Sequence, residues 1–313
     1  MQAIRIHAYG DADQMHLEEA PMPVCGPADI LVRVVAAGVN PVDWKIRAGA
    51  LAAHLPRAFP ITLGSDGAGT VSAVGAAVTA FQPGDEVYFY ADLGRGGSYA
   101  EYVAVDAAQA ALKPRTLSFA AAAAMPAPAQ AAWTALFDMA RIEAGMRVLV
   151  HGAAGALGSI AVQLAKEAGA TVIATAAGAD IDRVRGLGAD QVIDYRQQRF
   201  EELVSDLDVV LDTVGGATQE ASWATLRRGG ILIASAMPPA PERAAAAGAR
   251  AVFLFTEPRG AVLTQLAERI DAGRLRVNVG REFALADAGL AHRRGEAGQA
   301  HGKMVLRVAA PPA

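Results

Sequence analysis

The chain has 313 residues, 53% of them apolar, a formal net charge of -4 and one cysteine, Cys25. That length supports two domains with sizeable cores, and mild acidity without a basic stripe argues against nucleic acid as a partner. A lone cysteine allows neither a disulfide framework nor a cysteine-built zinc site within the chain.

In chain order, residues 2–6 alternate like a strand from the outset and lack the basic-then-apolar form of a signal peptide. Short strands are predicted over 30–35, 69–74, 86–89 and 99–103, cut by turns at 21–27, Pro60, Pro83-Gly84 and 94–97. Such frequent punctuation predicts an antiparallel barrel or rolled sheet. The alanine-rich stretch 120–140 reads as helix. Its apolar part, 119–137, contains Pro126, Pro128 and Gln130, so it is a soluble connection and no membrane span. Cytoplasmic residence is the expectation.

Residues 147–158, Arg-Val-Leu-Val-His-Gly-Ala-Ala-Gly-Ala-Leu-Gly, run from apolar strand through a turn of small residues into a helix with Ile160, Ala161, Leu164 and Ala165 on its apolar side. Unsatisfied N–H groups at such a helix N-terminus accept a diphosphate without any basic side chain. Ala153, Ala154, Gly155, Ala156, Leu157 and Gly158 are therefore candidate cofactor contacts; Gly155 permits close backbone approach and Gly158 permits helix–strand packing. Ala153 stands where a G-x-G-x-x-G pattern has its first glycine, and an ordinary tight turn is the alternative. The strand over 171–176 ends at Thr175, a further cofactor candidate, without the acid that would bind a ribose 2′-OH; Asp180 starts the next helix. Arg183 or Arg185 can then reach a 2′-phosphate, which favours NADP(H) over NAD(H), although each is equally readable as a solvated helix residue.

Strands over 191–195, 207–214, 231–236 and 251–255 follow, continuous in Val, Ile and Leu and separated by helix-length segments. They predict a parallel sheet covered on both faces. A helix over 261–272, a return strand near Asn278, a helix over 286–294 and a final strand over 303–308 are too few for a core of their own. The expected domains are thus 1–118, completed by 258–313, and 119–257.

Three stretches, 36–45 (Ala-Ala-Gly-Val-Asn-Pro-Val-Asp-Trp-Lys), 63–71 (Leu-Gly-Ser-Asp-Gly-Ala-Gly-Thr-Val) and 97–103 (Gly-Ser-Tyr-Ala-Glu-Tyr-Val), stand in family order with 148–166, 187–190, 193–195, 212–216 and the closing 301–306. Together they resemble the medium-chain dehydrogenase/reductase superfamily, and within it the zinc-independent, zeta-crystallin-like quinone oxidoreductases. The resemblance implies an α/β chain with a GroES-like β-barrel domain plus a Rossmann doubly wound parallel sheet, the cofactor in the cleft between them. It implies Tyr195 near the adenosine ribose, Val214 and Ser235 near the ribose and nicotinamide, Phe253 and Phe255 alongside the nicotinamide, and Lys303 near the cofactor. The plainer readings are a strand-end tyrosine, strand core, packed aromatics and a solvated lysine. The threonine usual shortly before the Trp133 position is missing, and a polar contact to the nicotinamide with it.

Zinc members of the superfamily carry Cys, His and Glu where this chain has Asn40, Ser65 and Asp66. One carboxylate does not make a zinc site. The six histidines show no helical metal-pair spacing, and each is expected at the surface or in a turn, with His151 beside the phosphate turn or packed at a strand end. Without a Lewis acid, hydride transfer to a quinone or an α,β-unsaturated carbonyl suffers least, because such an acceptor spreads the incoming charge over its own conjugated oxygen. Asn40 is a candidate donor or orienting group, with Asp43 and Asp66 holding its loop; a turn residue ahead of Pro41 is its plain reading. Tyr88, Tyr90, Tyr99 or solvent supplies the proton. The functions in view are an NADPH-dependent quinone reductase, an enoyl or alkenal reductase, and an NADPH-binding protein of low turnover. The resemblance also implies a homodimer, which the apolar strand over 251–255 would suit by edge pairing.

Overall fold

The computed structural model describes residues 1–95, 97–300 and 302–311. His301 and Gly96, which belong to a motif and a turn noted above, lie outside the described residues. The chain divides into two compact units, Met1–Ala127 with Glu257–Gly273 and Val277–Ala313, and Pro128–Thr256 with Arg274–Arg276. The boundary falls inside the helix Pro126–Trp133 and not after residue 118 as expected. Short-range bonds explain the shift. The Ala123 carbonyl lies where a Cβ on Gly38 would meet it, and the Ala127 N–H donates to Asp66 at 2.8 Å, so residues 119–127 are tied to the first unit. The single helix expected over 120–140 is a short helix Phe119–Ala123, a new helix opening on Pro126, and a π-helical turn Thr134–Met139. Proline disfavours helical backbone in the residue before it but suits the first helical position.

In the first unit the main sheet runs Val279–Ala284, Lys303–Arg307, Asp29–Gly38, Asp66–Val74, Glu86–Tyr90, Ala110–Leu112, and Tyr102–Asp106 also pairs with Asp29–Gly38. Its pairs are antiparallel apart from Val279–Ala284 with Lys303–Arg307. A smaller sheet joins Gln2–Ile6 to His16–Glu19 and Ile61–Thr62. Alternate residues of these strands point inward, so Ile30, Val32 and Val34 share one core with Ile4, Leu63, Phe89 and Tyr99. Phe283, Ala288, Ala291, Met304 and Leu306 of the C-terminal stretch belong to that same core. The last residues lack enough apolar surface to fold by themselves and bury it here.

In the second unit six parallel strands, Arg147–Val150, Thr171–Ala176, Gln191–Asp194, Leu207–Asp212, Leu226–Ala234 and Arg250–Phe253, lie in the order third, second, first, fourth, fifth, sixth. That is the Rossmann order, with the reversal between the first and fourth strands, where such sheets bind their ligands. The helix Ala156–Glu167 follows the first strand at that reversal. Among the described residues no helix is long and apolar enough to cross a membrane.

Candidate active site

A buried polar cluster sits in the first unit. The strand Asp29–Gly38 leads to Asn40, which precedes the helix Pro41–Arg47, and the Asn40 N–H donates to the Asp43 carboxylate at 2.8 Å. Asp66 opens the neighbouring strand, and Lys303 opens the one on the other side. Gly38 stands between them. A Cβ there would lie 2.3 Å from the Ala123 carbonyl oxygen, 3.0 Å from the Asp66 Cβ and 3.1 Å from the Lys303 Cε, so only glycine leaves room for the pair to meet. Lys303, 4% exposed, donates from Nζ to Asp66 Oδ2 at 3.0 Å and to Asn40 Oδ1. Two of its three N–H groups are thereby used. The other Asp66 oxygen accepts the Ala127 N–H. Burial pushes the Asp66 carboxyl up, opposed by the Lys303 charge and the Asn40 amide.

Asn40 spends its side chain on the protein. Its Nδ2 donates to Asp66 Oδ2 at 2.9 Å and to Ser65 Oγ at 3.4 Å. Of the two roles expected for it, donor or orienting group, this geometry is that of a residue that orients, holding Lys303 and Asp66 in register.

Asp43 leads from this cluster into the barrel core. Its carboxylate accepts from Ser65 Oγ at 3.1 Å and from the Tyr99 hydroxyl at 3.0 Å. Tyr99 also faces His292 Nε2 at 3.2 Å, and Arg47 Nη1 lies 3.3 Å from His292 Nδ1. An arginine can only donate, so Nδ1 accepts, Nε2 carries the hydrogen, and the chain of donors runs from His292 through Tyr99 to Asp43. Burial pushes Asp43 up to about 7, with the Asp66 charge adding to it, against the Asn40 N–H and the Lys303 charge. Burial foremost, then the Arg47 charge, lowers His292 to about 3. The expectation of a surface or turn histidine is therefore wrong for His292, while His151, also fully buried, takes the strand-end packing that is its alternative reading. Neither carries a sequence signal of burial; His292 lies on the buried side of the helix Ala288–Glu296, a side visible only once that helix docks.

The three tyrosines separate. The Tyr88 hydroxyl donates to the Leu263 carbonyl at 2.6 Å, and Tyr99 is bound to Asp43. Tyr90 stands opposite Asp66 in the sheet, and its hydroxyl is neither bound to Leu263 like that of Tyr88 nor to Asp43 like that of Tyr99.

The cluster does not fit zinc. Among the described residues no three His, Cys, Asp or Glu side chains come together to hold a metal. Asn40, Ser65 and Asp66 offer an amide, a hydroxyl and one carboxylate, and that carboxylate already faces the Lys303 ammonium. Catalytic zinc takes about three thiolate, imidazole or carboxylate ligands, and a second cation against Lys303 would be repelled.

The phosphate turn of the second unit fits a dinucleotide. Gly155 caps the helix Ala156–Glu167, and a Cβ on Gly158 would lie 2.4 Å from the Gly152 carbonyl oxygen and 2.8 Å from the Ala153 Cα. The helix thus approaches the strand as closely as a glycine allows, with its first N–H groups free for an anion. Arg183 donates from Nη2 to the Ala154 carbonyl at 2.9 Å and to Asp180 at 2.7 Å, which holds a guanidinium against the turn. Thr175 is turned away from a ligand role: it is buried, and its hydroxyl lies 3.1 Å from His151 Nδ1. His151 Nε2 lies 3.0 Å from Ser222 Oγ, which itself donates to the Thr218 carbonyl, so the imidazole braces the turn from behind. Burial lowers it to about 4, which keeps it neutral. Tyr195 is 57% exposed, Val214 and Phe253 are exposed, and Phe255 is 65% exposed. The core reading of the two phenylalanines does not hold. Ser235 is half-buried, its N–H donating to the Asp212 carbonyl at 2.9 Å. Lys303, expected with the cofactor residues, belongs to the first unit and its Asn40–Asp66 cluster. Ser65, Arg47 and His292 join that cluster without having been singled out as its members from the sequence.

Comparison with known proteins agrees with this anatomy. Residues 26–115 match the family model of the alcohol dehydrogenase GroES-like domain, and residues 187–306 match that of the zinc-binding dehydrogenases. The mouse mitochondrial NAD(P)H oxidoreductase RTN4IP1 is 31% identical over 353 aligned positions, covering 98% of this chain and 89% of that protein. An NADPH-dependent alkenal/one oxidoreductase of Arabidopsis thaliana chloroplasts is 36% identical, covering 86% of this chain and 69% of its own. The solved quinone oxidoreductase of Coxiella burnetii superposes with a TM-score of 0.91 at 32% identity, covering 99% of both chains. With the barrel unit, the Rossmann strand order and these relatives together, the chain belongs to the quinone oxidoreductase branch of the medium-chain dehydrogenase/reductase superfamily.

Proposed function

We propose that this protein is an NADPH-dependent reductase that delivers hydride to a quinone without a metal. The observation that carries the reading is Lys303: a buried ammonium with one N–H left uncommitted, fixed by Asn40 and Asp66, which stand where zinc enzymes of the superfamily keep metal ligands. NADPH, when bound, supplies the hydride. The helix N-terminus at Gly155 holds its diphosphate, and Arg183, kept against the turn by Asp180 and the Ala154 carbonyl, offers its guanidinium to the 2′-phosphate. Asn40 and Asp66 keep the Lys303 ammonium in one orientation, aimed at an oxygen that becomes negative as hydride arrives. A preorganised donor of this kind is worth roughly 3–4 kcal/mol of barrier in acyl-transfer enzymes. A quinone needs less, since its ring shares the charge.

A second reading is favoured by the alkenal/one oxidoreductase among the relatives: reduction of a carbon–carbon double bond conjugated to a carbonyl. The same donors serve it, because charge again collects on the carbonyl oxygen. Titrating the purified protein with NADPH and then adding 1,4-benzoquinone or an enone, while following reduced-nicotinamide absorbance, separates the two. If neither acceptor accelerates the loss of absorbance, the reductase reading is wrong and a low-turnover NADPH binder takes its place. We further infer a homodimer paired through Arg250–Phe253, which is an edge strand of the parallel sheet. Light scattering at the monomer mass would remove that inference. The cytoplasm is the compartment this reading assigns, and fractionation of the source cell tests it.

A further inference from the structure

Tyr90 ends the strand Glu86–Tyr90 and stands directly opposite Asp66 in the sheet register. Residues directly opposite one another on antiparallel strands share a face. Asp66 in turn stands opposite Gly38, and Gly38 opposite Val305, so this face continues to Lys303, two residues earlier on the last strand. Lys303, Asp66 and Tyr90 therefore project from one side of the sheet, with the side-chain gap at Gly38 between Lys303 and Asp66. Phe89, next to Tyr90, points the other way into the barrel core. Tyr88 shares Tyr90's side but has spent its hydroxyl on Leu263.

Tyr90 is 5% exposed, and its hydroxyl takes no part in the Leu263 and Asp43 bonds that hold Tyr88 and Tyr99. The Tyr90 hydroxyl is not one of the fully enclosed polar atoms that lack a partner; what marks it out is its place on the Lys303–Asp66 side of the sheet. We propose that the Tyr90 hydroxyl is a hydrogen-bond donor to the oxygen of the acceptor, completing with Lys303 a pair of donors at the point where negative charge develops. The inference rests on the reductase reading given above and adds a residue to it. Hydride brings two electrons to the acceptor carbon, the conjugated π electrons move onto the oxygen, and the Tyr90 O–H and Lys303 N–H bonds stay intact while both donate to that oxygen. Water supplies the proton to that oxygen, giving the enol; from a quinone the carbon that took the hydride then loses a proton while the second oxygen gains one, which completes the hydroquinone. Burial, then the charges of Asp66, Asp43 and Asp92, push the Tyr90 phenol upward, so it remains an O–H donor and does not itself give up the proton.

The test is Tyr90→Phe in the full chain, with wild type beside it and a series of increasingly electron-poor benzoquinones as acceptors. Turnover with 1,4-benzoquinone is expected to fall about tenfold to hundredfold. The loss should shrink along the series, because a poorer ring needs less help with the charge. NADPH affinity and the thermal midpoint should stay put, since the substitution removes no bond within the protein. Turnover within about twofold of wild type overturns the proposal, as does an equal loss for every quinone accompanied by a lower midpoint. A wild-type protein inactive with all acceptors defeats the reductase reading itself, and this inference with it.

Discussion

The phosphate turn of the second unit is made of backbone: Gly152, Gly155 and Gly158 remove side chains so that N–H groups and a helix end face the ligand. The Lys303 cluster of the first unit is made of side chains, with an ammonium, two carboxylates, an amide and two hydroxyls packed out of water. The first kind of site is local and holds no net charge. The second is assembled from positions far apart in the chain and holds charges that are tolerable only while each has its partner. The turn should accordingly fail by steric intrusion, and the cluster by losing a partner or a proton.

The largest effect is expected from Lys303→Met. It leaves Asp66 and Asn40 buried without their donor, and breaking a buried ion pair destabilises by roughly 3–5 kcal/mol. Urea denaturation reads the loss; a midpoint unchanged from wild type would mean that the cluster is not held by charge. Gly158→Ala tests the other side. Its new Cβ meets the Gly152 carbonyl oxygen at 2.4 Å, so the helix must move off the strand. NADPH affinity should drop about a hundredfold, near 2.7 kcal/mol, while the first unit keeps its own stability. Retained affinity by fluorescence titration would show that the turn does not hold the diphosphate. Arg183→Gln should weaken NADPH by about tenfold and leave NADH untouched, since it removes one charged contact to the 2′-phosphate. Equal losses for both cofactors would assign Arg183 to the turn's structure instead.

The smallest net effect is on stability against pH, where Asp43 acts with one sign and His292, in the same unit, and His151, in the other, act with the opposite one. Asp43 is raised from 3.8 to about 7, so between those values the folded chain holds a proton that the unfolded chain has released. Its contribution falls as pH rises through that window. His292 and His151 are lowered from 6.5 to about 3 and about 4, so the unfolded chain holds their protons in the window and their contribution rises with pH. From about 4 to 6.5 the two histidines outweigh the one aspartate, so stability still rises with pH there but less steeply than the histidines alone would give, and between 6.5 and 7 Asp43 alone acts and lowers it. Asp43→Asn should make stability rise more steeply with pH below 6.5 and flatten it above. Denaturation midpoints measured from pH 4 to 8 check this, and parallel curves for the two proteins would remove Asp43 as a titrating group.

The contrast also explains what could be read in advance. Gly155, Gly158 and the apolar strand before them announce their purpose within a dozen residues, because a turn's conformation depends on the side chains in it. The helix start at Asp180 and the missing acid after Thr175 are equally local. Thr175 itself misled, because a strand-end hydroxyl looks the same whether it faces a ligand or His151 behind the sheet. The alanine-rich connection reads as one helix because composition registers helix propensity but not the tie between Ala127 and Asp66 that ends the first unit there.

By itself the sequence determined the division into a barrel and a parallel sheet, the small-residue turn from strand into helix and the loss of zinc ligands, for each depends on residue type at a position or on a short repeating pattern. Only the tertiary structure decided that Lys303 joins Asn40 and Asp66, that His292 and Arg47 lie buried beneath Asp43 and Tyr99, and that Tyr90 shares the side of the sheet that Asp66 and Lys303 occupy. Those facts depend on which strands become neighbours and which helix face docks, and pairing across hundreds of residues is settled by burial of the whole core.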